Sequence, residues 1–270
     1  MSRARRNVLL IPAFAVVVGV ALWLAAHRAQ PEIRGRVTLK GTPRPEIRIA
    51  LDPHSAKLRP NGLTTRHYVV SSNGGLANVF VFIKSGVSNY AAPSTNEPVL
   101  MDYRGAQIEP YVIAVQRNQA VRFRNLDPIL HNVHIMPKAP GNRDINFAMA
   151  TPTAMIPEPW YRALYRRFVL RRPPPSMGLD KAFAAAEPLI RVKCDVHPWE
   201  FGYICVSDHP FFAVTDADGN FAFPTGLPPG RYVIEARHLK AGAVTQEVMI
   251  ARGERKQLQF TLEVPADPSR

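Results

Sequence analysis

The chain has 270 residues, which is enough for one large domain or for two modest domains with separate cores. Apolar residues make up 46% and charged residues 20%, a balance that excludes an intrinsically disordered chain. The 26 prolines exclude a long helical bundle and favour short strands joined by turns. Two cysteines are too few for a disulfide-stapled scaffold or a four-cysteine zinc site.

The net charge of +13 is compatible with a membrane surface, nucleic acid or an acidic protein partner. Most basic residues alternate with apolar ones, as the solvent-facing positions of strands do. The sequence has no zinc finger, helix-turn-helix pair or aromatic RNA-binding motif. We therefore expect a protein that does not bind nucleic acid.

The first predicted element is an uncharged apolar run at residues 8–26, which three arginines precede. The run is long enough to cross a bilayer, and the arginines favour a cytoplasmic N-terminus. We interpret residues 1–28 as a membrane anchor, with a cleaved signal peptide ending near residues 24–26 as the alternative. The rest of the chain is then expected in the cell envelope, on the periplasmic or extracytoplasmic side of the inner membrane, or secreted if cleavage occurs.

The remainder of the sequence predicts an all-β protein. Apolar runs of strand length are separated by turn residues, a spacing that is typical of β-sandwiches. The predicted strands are residues 33–39, 78–83, 111–115, 120–125, 221–223, 232–236, 244–250 and 258–262.

A Pro/Arg-rich insertion at about residues 149–186 interrupts these strands. Within it, Trp160, Leu164 and Phe168 recur at every fourth position among arginines, which predicts a short basic amphipathic helix over residues 157–172. This helix either packs on the domain with its arginines in water or docks on a membrane surface or a partner. The sequence does not decide between the two interpretations.

Two short segments carry metal-binding chemistry, residues 123–134 and 192–200. In the second segment, Cys194 precedes His197 by three positions, so a strand end and a short loop can direct thiolate and imidazole at one ion. A second histidine from an earlier strand completes a set of two histidines and one cysteine. Copper electron-transfer sites use this set because thiolate and imidazole together suit both Cu(II) and Cu(I).

These segments resemble the type 1 copper, or cupredoxin, family of plastocyanin, pseudoazurin and amicyanin. In that family an Asn-x-Asp turn precedes a His-Asn-Val strand, and both patterns occur within residues 125–133. A later Cys-x-x-His-Pro loop corresponds to residues 194–198. The resemblance implies a cupredoxin-like Greek-key β-sandwich. It also implies His131, Cys194 and His197 as the ligands of one copper ion that cycles between Cu(II) and Cu(I).

The fourth ligand position departs from the family, which places a weak axial methionine three residues after the loop histidine. That position is Glu200 in this chain. A carboxylate is a harder ligand than a thioether, so a bound Glu200 favours Cu(II) and lowers the reduction potential. Alternatively, Glu200 points to solvent, and the axial position is vacant or is held by Met136, Met149 or Met155.

His134 and Cys205 have other interpretations. On a strand, His131 and His134 point to opposite faces, so we expect His134 on the surface or behind the ligands. Cys194 and Cys205 lie on the two arms of the hairpin around His197, and an oxidising compartment allows a disulfide between them. That disulfide would leave the histidines and the loop unexplained, and the apolar surroundings of Cys205 are typical of a buried cysteine.

The C-terminal stretch resembles a second family, the carboxypeptidase regulatory-like or transthyretin-type β-sandwich. An Asp-x-Asp-Gly turn at residues 216–219 and a Pro-Pro-Gly reversal at residues 228–230 carry this resemblance. We expect residues 30–207 to form the cupredoxin-like domain. Residues 208–264 are expected to form a smaller Ig/transthyretin-like sandwich, with residues 33–43 as strands that the two units can share.

These features predict an exported, membrane-anchored mononuclear copper protein that carries single electrons between redox partners. We do not expect an enzyme, because the sequence shows no acid/base pair for catalysis. The expected partner is a redox protein, for which an acidic surface would suit the basic chain. The alternatives are a copper-binding chaperone or sensor, favoured if Glu200 binds and redox cycling is poor, and a metal-free binding or adhesion module of the cell envelope.

Overall fold

The computed structural model describes residues 32–87, 97–151 and 178–266, together with Phe168. The predicted anchor at residues 1–28 lies outside these ranges, as does the predicted helix at residues 157–172 apart from Phe168. Within the described ranges, no helix is both long and apolar enough to span a bilayer.

The described residues are mostly β structure, which confirms the prediction at that level. Strands arranged in several sheets are accompanied by one short helix, α1. In chain order the elements are β1 (Glu32–Lys40), β2 (Arg48–Ile49), α1 (Pro53–Leu58), β3 (Leu63–Thr64), β4 (Phe80–Ser85), β5 (Val99–Tyr103), β6 (Ile108–Glu109), β7 (Val112–Gln116), β8 (Val121–Asn125), β9 (His131–Met136), β10 (Ile145–Met149), β11 (Gly178–Lys181), β12 (Glu187–Lys193), β13 (Phe201–Ser207), β14 (Phe212–Val214), β15 (Asn220–Ala222), β16 (Gly230–His238), β17 (Gly242–Ile250) and β18 (Arg255–Glu263).

Strands from both ends of the described chain form a two-sheet unit, which we call the terminal sandwich. One sheet has the strand order β15-β1-β18 and the other has the order β14-β4-β16-β17. Strand β1 pairs in parallel with β18 along its whole length. Alternate apolar residues from both sheets, among them Val37, Val81, Ile234 and Phe260, enclose one core.

Strands β5 to β13 form a second two-sheet unit, the central sandwich, which the chain enters after β4 and leaves before β14. Its sheets have the orders β10-β9-β12-β13-β7 and β11-β8-β5-β6, and Met101, Phe123 and Ile135 lie in its core. The domain boundaries at residues 30–207 and 208–264 stay a prediction. The observed pairing nevertheless joins β1 and β4 of the first expected unit to strands of the second.

Strand β13 is buried on both faces and connects the two sandwiches. Ile204 and Val206 point into the core of the central sandwich, whereas Tyr203 and Cys205 pack in a separate cluster with Phe80 of β4. Successive side chains of a strand point to opposite faces. The continuous apolar run of β13 therefore provides one face for each of two apolar clusters.

One end of the five-stranded sheet brings three chain segments together. β9 begins at His131, β12 ends one residue before Cys194, and β13 begins one residue after Glu200. β12 pairs antiparallel with both β9 and β13 near this end. The loop between β12 and β13, residues 194–200, therefore lies beside the start of β9.

The segment between β1 and β4 reaches the same end of the central sandwich. Helix α1 follows Asp52, whose carboxylate accepts hydrogen bonds from the amides of His54 and Ser55 at 2.8 and 3.1 Å. This is the N-cap arrangement that short polar side chains favour. Arg59, just after the helix, donates to the carbonyl oxygen of Gly105 at 2.7 Å, which fastens the segment to the β5–β6 turn.

Candidate metal centre

The four side chains that the sequence predicts as ligands come together at this end of the central sandwich. His131, Cys194, His197 and Glu200 each offer one donor atom, and these atoms all lie within 4.8 Å of one another. All four residues are buried. We call this group the four-residue cluster.

The donor atoms are close enough to share one ion. His131 Nδ1 lies 2.8 Å from Glu200 Oε2 and 3.2 Å from His197 Nδ1. His197 Nδ1 lies 3.5 Å from Glu200 Oε1 and 3.7 Å from Cys194 Sγ. Both imidazoles therefore direct Nδ1 towards the other donors.

The carboxylate of Glu200 is the strongest sign that the cluster suits a cation. Glu200 is 1% exposed, and neither of its buried oxygens accepts an aligned hydrogen bond. A buried carboxylate needs a compensating positive charge, which a protonated His131 at 2.8 Å or a bound cation can supply. Two imidazoles, a thiol and a carboxylate form a donor set for a transition metal such as copper, so the residues fit the ion that the sequence predicts.

The two imidazoles differ in their protonation. Burial lowers the pKa of His131, but its contacts with Asp127, Cys194 and Glu200 outweigh burial and raise that pKa to about 11. The pKa of His197 is lowered, mainly because burial disfavours its charged form. In the metal-free protein a proton on His131 thus supplies positive charge to the cluster, and a bound metal must displace that proton.

Hydrogen bonds hold the β12–β13 loop in its conformation. The amide of Cys194 donates to the carbonyl of Glu200, and the amide of Glu200 donates to the carbonyl of His197, both at 2.9 Å. The side-chain oxygen of Asn132 accepts from the amide of Asp195 at 2.6 Å and from the thiol of Cys194 at 3.4 Å. Asn132 therefore ties the loop to strand β9, next to His131.

Further carboxylates lie beyond the two imidazoles, and the sequence analysis gave them no role. Asp127 Oδ2 lies 3.3 Å from His131 Nε2, and Asp52 Oδ2 lies 4.0 Å from His197 Nε2. The four-residue spacing between Asp127 and His131 is a signal that could have suggested the first contact. No local pattern indicates the contact of Asp52 with His197, because only the tertiary fold brings these two residues together.

Several residues that the sequence analysis weighed lie around the cluster. His134 Nδ1 contacts Asp195 Oδ2 at 2.8 Å, so this imidazole interacts with a partly exposed carboxylate and is not one of the four gathered residues. Met136 is 37% exposed, whereas Met149 is fully buried and pairs with His131 across β9 and β10. Met155 lies outside the described residues.

The two cysteines are free thiols and pack in different clusters. Cys194 lies in the core of the central sandwich, while Cys205 lies between the two sandwiches. Burial raises the pKa of Cys205 to about 12, so this thiol stays protonated near neutral pH. The structure therefore shows Cys205 as a packed apolar residue and leaves the thiol of Cys194 to the four-residue cluster.

Comparison with known proteins gives a structural similarity only. We found no matching protein-family model and no matching curated protein. A reduced amicyanin in which a tyrosine replaces a tryptophan is 17% identical with a TM-score of 0.30, and the similarity covers 47% of this chain and 98% of that one. The Cu(I) form of an amicyanin in which an alanine replaces a methionine has the same identity and coverages, with a TM-score of 0.29.

A copper-containing nitrite reductase from Thermus scotoductus is also similar. It is 16% identical with a TM-score of 0.28, and the similarity covers 46% of this chain and 25% of that one. These similarities cover about half of the chain. At such identities and TM-scores they carry no argument about this chain, so the functional argument rests on the four-residue cluster alone.

Proposed function

We propose that this protein is an exported mononuclear copper protein that carries single electrons between redox partners. His131, Cys194 and His197 bind the copper ion, and Glu200 supplies the fourth donor. The observation that carries this proposal is the burial of four converging donor atoms, among them a carboxylate without aligned hydrogen-bond donors.

The donor set accounts for the choice of metal and of chemistry. A thiolate and two imidazoles suit copper in both oxidation states, and copper supplies the one-electron chemistry when bound. The chain holds the donors in place before the ion arrives, because β9 positions His131 and the hydrogen-bonded loop positions the other three. Such a fixed arrangement limits the structural change that accompanies each electron transfer.

The burial of the cluster favours a carrier over the alternatives. A chaperone must release its ion to another protein, and an enzyme must admit a substrate to its metal, whereas an electron can leave a closed site. His131 and Glu200 are at most 1% exposed, and His197 is 8% exposed. A metal-free adhesion module would have no use for two imidazoles, a thiol and a carboxylate that converge in its core.

The location and the partner are part of the proposal. The apolar run at residues 8–26 would anchor the chain in the inner membrane, with the copper site on the periplasmic side. A net charge of +13 would favour encounter with a redox protein that presents an acidic surface. Association with such a partner should weaken as ionic strength rises.

The absorption spectrum of the protein loaded with Cu(II) tests the proposal. Coordination of Cu(II) by the thiolate of Cys194 should give intense visible absorption, and Cys194→Ser should abolish it. Cys205→Ser is the matched control, because it removes the other thiol, and the colour should stay. A colourless wild type that binds copper, or a Cys194–Cys205 disulfide in the native protein, would contradict the proposal.

A further inference from the structure

Asp127 is a buried carboxylate that contacts the back of an imidazole of the cluster. It is 4% exposed, and its Oδ2 lies 3.3 Å from His131 Nε2, on the side of the ring away from Glu200. Two backbone amides and the imidazole of His131 face this carboxylate, and such contacts favour its ionised form.

The backbone of the β5–β6 turn holds this carboxylate in a fixed orientation. The amide of Gly105 donates to Asp127 Oδ1 at 2.6 Å, and the amide of Ala106 donates to Asp127 Oδ2 at 2.8 Å. Both turn residues have positive φ angles, +61° and +57°, which directs two successive N–H groups at one anion. Asp127 thus faces His131 without depending on a mobile partner.

The second imidazole has a weaker version of the same arrangement. Asp52 Oδ2 lies 4.0 Å from His197 Nε2, and its side chain is 37% exposed. Asp52 also caps α1, and the side chain of His197 is only 10% exposed. Each imidazole of the cluster therefore has a carboxylate behind it, one buried and close, the other partly exposed and farther away.

We propose that Asp127 is a positioning residue that orients His131 towards the metal and makes the site prefer Cu(II) over Cu(I). His131 Nε2 makes no aligned hydrogen bond in this structure, but Asp127 Oδ2 lies within reach of it as an acceptor. A carboxylate that accepts from a ligating imidazole fixes its ring and strengthens its donation to the metal. Its negative charge also stabilises the ion of higher charge more than the ion of lower charge. Asp52 acts in the same direction with a smaller effect, because solvent screens it. This inference rests on the proposed function, since it requires that the cluster binds copper.

The substitution Asp127→Asn separates this role from a purely structural one. Asparagine keeps an oxygen that accepts a hydrogen bond from the turn, but it removes the negative charge. Asp216→Asn is the matched control, because Asp216 also orders a turn by accepting from the amides of Asp218 and Asn220 at 2.9 and 2.8 Å. That turn belongs to the terminal sandwich, away from the four-residue cluster.

The measurement is the dissociation constant of Cu(II) and of Cu(I), each determined by competition with a chelator of known affinity. We expect Asp127→Asn to weaken the binding of Cu(II) by about tenfold or more, the range found when outer partners of metal-bound histidines are removed, and to weaken that of Cu(I) less, so that the preference for Cu(II) falls. Asp52→Asn should reduce it less, and Asp216→Asn should leave it unchanged. Asp127→Glu, which keeps the charge, should restore part of the preference.

Two results are distinguishable. A wild type that binds no copper, or binds it without thiolate colour, contradicts the proposed function itself. A coloured wild type whose preference for Cu(II) is the same in Asp127→Asn overturns the role of Asp127 alone, even if the unfolding midpoint falls. If Asp127→Asn does not fold, Asp127→Ser is measured instead, and an unchanged preference in that variant overturns the inference equally.

Discussion

Replacement of Glu200 by methionine should raise the reduction potential of the bound copper. The carboxylate favours Cu(II), because that ion carries one more positive charge than Cu(I). The four donor atoms lie within 4.8 Å of one another, which sets the scale of the interaction. At that separation and an effective dielectric constant of about 20, a unit charge contributes about 3.5 kcal/mol, equivalent to about 150 mV for a one-electron couple.

Spectroelectrochemical titration of the copper-loaded protein measures this shift. Glu200→Met and the nearly isosteric Glu200→Gln should both raise the potential by an amount on the order of 150 mV. Glu187→Gln is the matched control, because Glu187 is also buried but accepts hydrogen bonds only from the loop around residues 138–142. It lies at the opposite end of β12, and the rise per residue of a β-strand places it roughly 20 Å from Cys194.

The reasoning fails if both Glu200 variants keep the wild-type potential and the thiolate colour. The carboxylate would then lie away from the ion, and the fourth donor would be absent or would be a methionine such as Met149. A shift of equal size in Glu187→Gln would also contradict the argument. The effect would then come from the loss of any buried carboxylate, not from a donor at the metal.

Two further predictions concern stability. Burial lowers the pKa of His238 from 6.5 to about 4, so the unfolded chain binds more protons at this residue between these values, and His238 should contribute a loss of stability of about 2 kcal/mol between about pH 7 and pH 5. Urea unfolding at both pH values should show this loss in the wild type but not in His238→Gln. The control His54→Gln changes an exposed histidine and should behave as the wild type does. Equal losses in all three proteins would refute the role of His238. Gly75→Ala should destabilise the protein by about 3 kcal/mol, because its Cβ would lie 1.8 Å from the carbonyl oxygen of Asp218. The neighbouring Gly74→Ala, with no atom within 4 Å but a φ of +80°, should cost only about 1 kcal/mol, and a loss of equal size in the two variants would contradict the steric argument.

The cluster could be predicted from the sequence because its signals are local. Cys194, His197 and Glu200 lie at three-residue intervals on one loop, so a single hairpin turn brings them together. His131 and His134 differ by an odd number of positions on a strand, so only one of them faces the core. Strand alternation and loop spacing therefore narrow the candidates, whereas the choice of His131 came from the resemblance to cupredoxins and the position of Glu200 was left open between the metal and solvent.

The carboxylates around the imidazoles could not be predicted in the same way. The four-residue spacing of Asp127 and His131 allows their contact, but the backbone of the β5–β6 turn, which is distant in sequence, fixes the orientation of the carboxylate. Asp52 has a complete local explanation as the N-cap of α1, so nothing in its neighbourhood indicates a contact with His197. Contacts of this kind depend on the packing of separate segments, which no periodicity records.

The pairing of strands was also beyond the sequence. Alternation predicts residues 33–39 and 258–262 as strands, and the structure places them in β1 and β18. Their parallel pairing, however, joins the two ends of the described chain around an entire sandwich. A strand pattern determines which face of a strand is buried, but it does not determine the strand beside it.

The most direct test of the account is repeated oxidation and reduction of the copper-loaded wild type, followed through its visible absorption. We expect the thiolate-to-copper band to disappear on uptake of one electron per copper and to return in full over many cycles, with the metal retained. Loss of copper on reduction would favour a chaperone or sensor. A loaded protein that shows no reversible one-electron couple would contradict the assignment as an electron carrier.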